Sequence, residues 1–155
     1  MPENCVSKSR HNILILNGPN LNMLGTREPD VYGFKTLSSI AMACEEYAAE
    51  LGLAIDFRQS NSEGDIVTIL NEAPGQYAGI VLNAGAYSHT SIAIHDALKM
   101  LDMPVIEVHL SNVFKRESFR HHSYVTPVAQ GMICGFGGHG YLLALDALRA
   151  CLDDA

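Results

Sequence analysis

The sequence lacks the features that mark membrane-spanning, nucleic-acid-binding and disulfide-linked proteins. Its apolar stretches fall well short of the roughly eighteen residues that a membrane-spanning helix requires. Ten lysines and arginines against 17 acidic residues give a net charge of -7, so we expect no basic face for nucleic acid. The four cysteines, Cys5, Cys44, Cys134 and Cys151, show no Cys-x-x-Cys spacing. Buried free thiols in a reducing cytoplasm are therefore the simplest interpretation.

Several catalytic and cofactor-binding motifs are also missing. The sequence contains no G-x-S-x-G elbow, no P-loop and no His-Glu-x-x-His motif, and no lysine ends an apolar strand-like run. We therefore expect no hydrolase triad, no Schiff-base lysine and no metal site. The segment GFGGHG (135–140) matches a dinucleotide-binding pattern, but the chain ends before the acidic strand that such a site needs. We interpret its glycines as a tight turn and a close helix–strand contact.

Apolar strand-like runs alternate with helical patterns along the chain. Strands are predicted at 12–16, 53–59, 78–83, 104–110 and 131–135, and helices at 36–51, 62–73, 90–101 and 140–152. Strands that are apolar throughout and alternate with helices indicate a parallel sheet covered on both faces. We predict one α/β domain over 12–152, a flavodoxin-like doubly wound sheet of five strands in the order 2-1-3-4-5. The polar residues 1–11 contain no apolar segment, so we expect a flexible tail without a secretory signal.

Polar side chains follow the predicted strands at the sheet edge where such folds bind ligands. The first strand is followed by a long segment rich in Asn and Gly, 17–33, which is a candidate lid. Polar residues also follow or end the next three strands: Gln59, Ser60 and Asn61, then Asn83 and His89, then Glu107, His109, Ser111 and Asn112. Because parallel strands end at one edge, we expect these groups to be neighbours.

Two residue pairs in these segments suit acid–base chemistry. Arg27 precedes Tyr32 in the candidate lid. A free phenol has a pKa of about 10, and a nearby guanidinium favours its ionised form, which would make Tyr32 a base. Glu107 and His109 are two residues apart in a strand, so they share a face and the carboxylate can orient the imidazole as an acid. These groups permit a cofactor-free elimination of water from a hydroxy-ketone, among other acid–base reactions.

Five segments of the sequence closely resemble the type II 3-dehydroquinate dehydratase family. They are LILNGPNLNMLGTREPDVYG, RQSNSEG, IVLNAGAYSHTSIAIHDA, PVIEVHLSNVFKRESFRHHSY and GFGGHGYLLALDAL, in order from about Ile13 to Leu148. The resemblance implies the flavodoxin-like fold, trimers assembled into a homo-dodecamer, and no metal or cofactor. It also implies trans elimination of water from 3-dehydroquinate through an enolate, giving 3-dehydroshikimate, in the shikimate pathway or in quinate breakdown.

The resemblance also implies a role for each residue at a matched position. It implies that Tyr32 is the base, that Arg27 activates it and that Asn20 holds a water that stabilises the enolate. It makes His109, supported by Glu107, the general acid for the departing C1 hydroxyl. The other matched positions are implied in substrate binding: the main-chain amides of Leu110 and Ser111, the side chains of Asn83, His89 and Arg120, and Asp96 from a neighbouring subunit. His121 stands where an Arg is common in the family.

Two alternatives remain open at this point. A flavodoxin-like module that binds a flavin or a nucleotide without catalysis would share the fold, although the acid–base set and the missing phosphate-binding loop argue against it. A dehydratase or isomerase that acts on a different hydroxy-ketone would share the residue types as well.

Overall fold

The computed structural model of the chain describes residues 10–26 and 35–155. Five parallel strands form one sheet in the order β2-β1-β3-β4-β5, as predicted. The strands are β1 His11–Asn17, β2 Leu53–Gln59, β3 Gly79–Asn83, β4 Val105–His109 and β5 Gly131–Cys134. The helices are α1 Leu37–Glu50, α2 Glu63–Glu72, α3 Ile92–Lys99 and α4 His139–Asp153. Because β1 begins at His11, the last residue of the predicted tail belongs to the sheet.

Side-chain caps fix where the first three helices begin. The side chains of Thr36, Ser62 and Ser91 each accept a hydrogen bond from the backbone N–H three residues later. These bonds satisfy amides that the helix leaves unpaired in its first turn. Gly52 follows α1 with a φ of 71°, the left-handed conformation in which glycine commonly ends a helix. Across the described ranges, none of the helices combines the length and apolar composition that crossing a bilayer demands.

The core consists of two apolar layers, one on each face of the sheet. Ile13 and Ile15 of β1 are buried in the layer that α1 and α4 cover, whereas Leu14 and Leu16 are buried in the layer that α2 and α3 cover. Successive strand side chains point to opposite faces, so a strand covered on both sides must be apolar at every position. The continuous apolar runs of the sequence follow from this requirement.

The cysteines only partly match the expectation of buried thiols. Cys44 is a buried free thiol, and burial, with the charge of Glu45, raises its pKa to about 12. Cys134 and Cys151 are free thiols that are only partly buried. Cys5 lies outside the described residues.

The glycine-rich segment 135–140 turns the chain from β5 into α4, as interpreted from the sequence. Gly135 and Gly137 have φ values of 96° and 58°, which L side chains rarely adopt. A Cβ on Gly138 would lie 3.0 Å from Cγ1 of Ile40 in α1, and one on Gly140 would lie 3.5 Å from Cγ1 of Val108 in β4. Gly135 and Gly137 therefore allow the turn, and Gly138 and Gly140 allow α4 to pack closely against α1 and β4.

A buried polar bridge connects the ends of β1 and β3 to α4. The hydroxyl of Tyr141 donates to Oδ1 of Asn17 at 2.6 Å and accepts from Nδ2 of Asn83 at 2.9 Å. Nδ2 of Asn17 donates in turn to the carbonyl of Arg58 at 3.0 Å. Burial raises the pKa of Tyr141, so the phenol stays protonated and can donate. The bridge holds both asparagines in fixed orientations at the edge of the sheet.

The backbone directly after β1 passes very close to the backbone at the end of β3. The amide of Gly18 donates to the carbonyl of Asn83 at 2.7 Å. A Cβ on Gly18 would lie 2.4 Å from the carbonyl oxygen of Ala84, a separation that real side chains do not show. This approach requires glycine at position 18.

We predict that Gly18→Ala destabilises the protein by about 1–3 kcal/mol, because the new methyl group forces two backbone segments apart. Urea unfolding measures the change. Gly131→Ala is the matched control, since a Cβ there meets no atom within 4 Å. Equal unfolding midpoints for the two variants would contradict the close-approach explanation.

We predict that Tyr141→Phe also lowers the free energy of unfolding, by about 1–3 kcal/mol, because it leaves buried amide groups of Asn17 and Asn83 without their partner. Tyr47→Phe is the control, since that hydroxyl bonds Asp146 at an exposed site and its loss should change stability by about 0.5 kcal/mol or less. Thermal or urea unfolding of both variants measures the difference. A Tyr141→Phe protein as stable as the control would contradict the stabilising role of the bridge.

Candidate active site

A cleft of about 150 Å³ opens at the carboxyl ends of β1, β3 and β4. The predicted site residues that line it are Asn20, Asn83, His89, His109, Leu110, Ser111 and Arg120. They come from three separate connections, so the parallel sheet brings together groups that are far apart in the sequence. The predicted residues Arg27 and Tyr32 lie outside the described residues.

Glu107 and His109 form a close, buried pair at the end of β4. Nε2 of His109 lies 2.6 Å from Oε2 of Glu107, which confirms that the two side chains share a face of the strand. Glu107 is 0% exposed, whereas His109 reaches the cleft. Because Nε2 is committed to the carboxylate, Nδ1 is the ring nitrogen that remains for a reactant.

Two hydroxyl groups that the sequence reasoning missed complete the surroundings of Glu107. Ser123 donates to Oε2 at 2.8 Å, and Thr126 donates to Oε1. Burial alone would raise the pKa of Glu107, but the hydrogen bond and charge of His109 and the two hydroxyls bring it below its ordinary value. Glu107 is therefore an ionised carboxylate at neutral pH.

His89 faces the same cleft as a neutral imidazole. Its Nδ1 lies 2.8 Å from the carbonyl oxygen of His122, which can only accept, so Nδ1 carries the proton. Burial lowers the pKa of His89, and the positive charges of His109 and Arg120 act in the same direction. The ring lies nearly parallel to that of His109, with 6.1 Å between centroids. Nε2 of His89 is thus an acceptor, suited to a hydroxyl group.

Two arginines give the cleft a positive charge that the acidic chain as a whole lacks. Nε of Arg120 donates to Oε2 of Glu117 at 2.8 Å, and Nε of Arg116 lies 3.8 Å from the same oxygen. The Arg116 side chain is only 13% exposed and lines the cleft. The fold turns it inward, and the two guanidinium groups favour an anionic ligand.

Asn20 is held in place by the loop that follows β2. Its φ of 67° lies in the left-handed region, which Asn tolerates better than most residues. The backbone N–H of Asn20 donates to Oδ1 of Asn61 at 3.0 Å, and Gln59 donates to the carbonyl of Gly18 at 3.2 Å. Gln59 and Asn61 are therefore neighbours of the Asn20 loop, as expected. They do not line the cleft themselves but support the loop that lines it.

The backbone of Leu110 and Ser111 continues from the end of β4 and lines the cleft. Amides of the glycine-rich turn hold this stretch: Gly135 donates to the carbonyl of His109 at 3.3 Å, and Gly137 donates to that of Leu110 at 2.9 Å. The literal dinucleotide-like motif therefore helps to shape the cleft, because its amides hold the backbone that continues β4.

Among the residues that the structure describes, Asp96 is a predicted site residue that the fold of this chain does not bring to the cleft. It lies on the exposed side of α3, with Ile92 and Met100 one turn away on either side. These two apolar residues are 58% and 71% exposed. That Asp96 reaches the site of a neighbouring subunit stays a prediction.

Comparison with known proteins agrees with this geometry. The family model described as dehydroquinase class II matches residues 11–149. A 3-dehydroquinate dehydratase of Mesorhizobium japonicum is 64% identical over 141 residues, covering 90% of this chain and 98% of that protein. The chain also resembles the crystal structures of type II dehydroquinases from Propionibacterium acnes (46% identity, TM-score 0.87, 90% and 97% coverage) and Butyrivibrio crossotus (44%, 0.89, 91% and 99%). The chain therefore belongs to the class II dehydroquinase family of flavodoxin-like hydro-lyases.

Proposed function

We propose that this chain dehydrates 3-dehydroquinate to 3-dehydroshikimate by trans elimination of water through an enolate. The observation that carries the proposal is the buried Glu107–His109 pair, whose imidazole faces a positively lined cleft, in a chain of this family. The relatives named 3-dehydroquinate dehydratase support the choice of substrate. The reaction serves either aromatic biosynthesis or quinate breakdown.

The elimination proceeds in two proton transfers. Tyr32, as a phenolate that Arg27 stabilises, removes a proton from C2, and the electron pair moves to the C3 carbonyl oxygen as an enolate. A water held by Asn20 donates a hydrogen bond to that oxygen. The enolate then collapses, the C1–oxygen bond breaks, and Nδ1 of His109 gives its proton to the departing hydroxyl, which leaves as water. Side chains supply both transfers, so the steps need no metal or cofactor.

Each polar group of the substrate has a partner in this proposal. The main-chain amides of Leu110 and Ser111 bind the carboxylate at the end of β4. The side chains of Asn83, His89 and Arg120 bind the ring hydroxyls, with neutral His89 as an acceptor. The exposed Ile92 and Met100 beside Asp96 support the view that α3 packs against another subunit in a trimer, four of which form the dodecamer.

We expect the purified protein to convert 3-dehydroquinate into a product with the ultraviolet absorbance of a conjugated enone, because elimination places a new double bond beside the ketone. Continuous absorbance measurement follows the reaction, and quinate, which has no ketone, is the control substrate. A protein that is inactive on 3-dehydroquinate but active on another hydroxy-ketone would contradict the proposed substrate. A yellow protein with bound flavin would favour the non-catalytic alternative.

We predict that Tyr32→Phe and His109→Asn separate the two steps. Tyr32→Phe should lose both turnover and exchange of the C2 proton with deuterated solvent, since it lacks the base. His109→Asn should lose turnover by about 100-fold or more, the usual contribution of a general acid, yet retain exchange. Mass spectrometry or proton NMR of recovered substrate measures exchange, and the roles are wrong if Tyr32→Phe still exchanges or His109→Asn still turns over normally.

A further inference from the structure

We propose that Ser123 and Thr126 are positioning residues that hold the Glu107 carboxylate, and through it the imidazole of His109, in the orientation needed for proton donation. The inference rests on the proposed role of His109 as the acid. It adds to the catalytic machinery two residues that do not line the cleft, so neither is expected to touch substrate.

The need for these hydroxyls follows from the burial of Glu107. An ionised carboxylate without water is strongly destabilised unless its oxygens accept hydrogen bonds. His109 supplies one donor, to Oε2. Ser123 donates to the same oxygen, and Thr126 donates to Oε1, so both oxygens are occupied. With both oxygens bound, the carboxylate cannot rotate without breaking hydrogen bonds.

The hydrogen bonds around Ser123 also fix the direction of each proton. Its Oγ accepts from the backbone N–H of Val125 at 3.1 Å and from that of Thr126 at 3.3 Å. A hydroxyl oxygen has two lone pairs, so its own proton is left for Glu107. Glu107 therefore accepts at Oε2, and the proton shared with His109 lies on Nε2. This arrangement leaves Nδ1 as the nitrogen that faces the C1 hydroxyl.

Contacts with α3 and the loop before it hold the 123–126 segment against β4. The amide of Tyr124 donates to the carbonyl of Ser88 at 2.7 Å, and Nδ1 of His95 lies 2.7 Å from the carbonyl of Tyr124. Val125 is fully buried in the apolar layer beneath α2 and α3. The hydroxyls are therefore mounted on a rigid part of the fold, as an orienting group must be.

The test compares Thr126→Val, which removes the hydroxyl at nearly constant shape, with Thr126→Ser, which keeps it. We expect Thr126→Val to lower kcat about 10-fold or more, the usual effect of losing a group that orients a ligating or catalytic side chain. KM and exchange of the C2 proton should change less than about twofold, since the substrate contacts and the base are untouched. Thr126→Ser should restore kcat. Thr68→Val, which removes an exposed helix hydroxyl bonded to the carbonyl of Gly64, is the control.

Ser123→Ala should show the same pattern and keeps the test decisive if Thr126→Val fails to fold. Unchanged kcat in a folded Thr126→Val or Ser123→Ala enzyme, or a loss that Thr126→Ser shares, would overturn the proposal. Ring nitrogen-15 NMR of His109 gives a readout without substrate: the native protein should carry a proton on Nε2, and loss of a hydroxyl should alter that signal. Native protein that is inactive on 3-dehydroquinate would instead reject the proposed function, while the NMR result still decides the role of the hydroxyls.

Discussion

The structure of the site depends on one buried negative charge, that of Glu107 at the end of a central strand. A carboxylate in this position has lost its water, and the cost is several kcal/mol or more unless the fold supplies donors. His109 supplies one donor from the same strand, and Ser123 and Thr126 supply the others from the long connection that follows it. The orientation of the imidazole toward the cleft follows from satisfying this charge.

Polar groups at the ends of the other central strands are likewise hydrogen-bonded by side chains from distant parts of the chain. Asn17 and Asn83 end β1 and β3, and the phenol of Tyr141 joins them beneath the cleft. The loop after β2 adds a second support, because Asn61 and Gln59 hold the Asn20 turn. The cleft therefore has a base of hydrogen-bonded side chains on rigid strands, which favours precise placement of reacting groups.

Local and overall electrostatics differ in this molecule. The chain carries a net charge of -7, yet Arg116 and Arg120 both line the cleft, whereas Glu117, which pairs with Arg120, is not among the lining residues. Charges at the surface of the chain are screened by water and salt, whereas those in a partly enclosed cleft act strongly on a bound ligand. An acidic protein can therefore bind an anionic substrate.

The sequence by itself determined the alternation of strands and helices, the order of the sheet and the pairing of Glu107 with His109. The alternation and the pairing rest on short-range periodicities, since neighbouring residues of one strand alternate between faces whatever surrounds them. The order of the sheet followed from the doubly wound fold that such an alternation favours. Only the tertiary structure decided which distant groups meet: Thr126 is 19 residues from Glu107, Tyr141 is 124 from Asn17, and Arg116 turns into the cleft. No repeating spacing marks these contacts, because they are set by how irregular connections pack over the sheet, and that packing is a property of the whole fold.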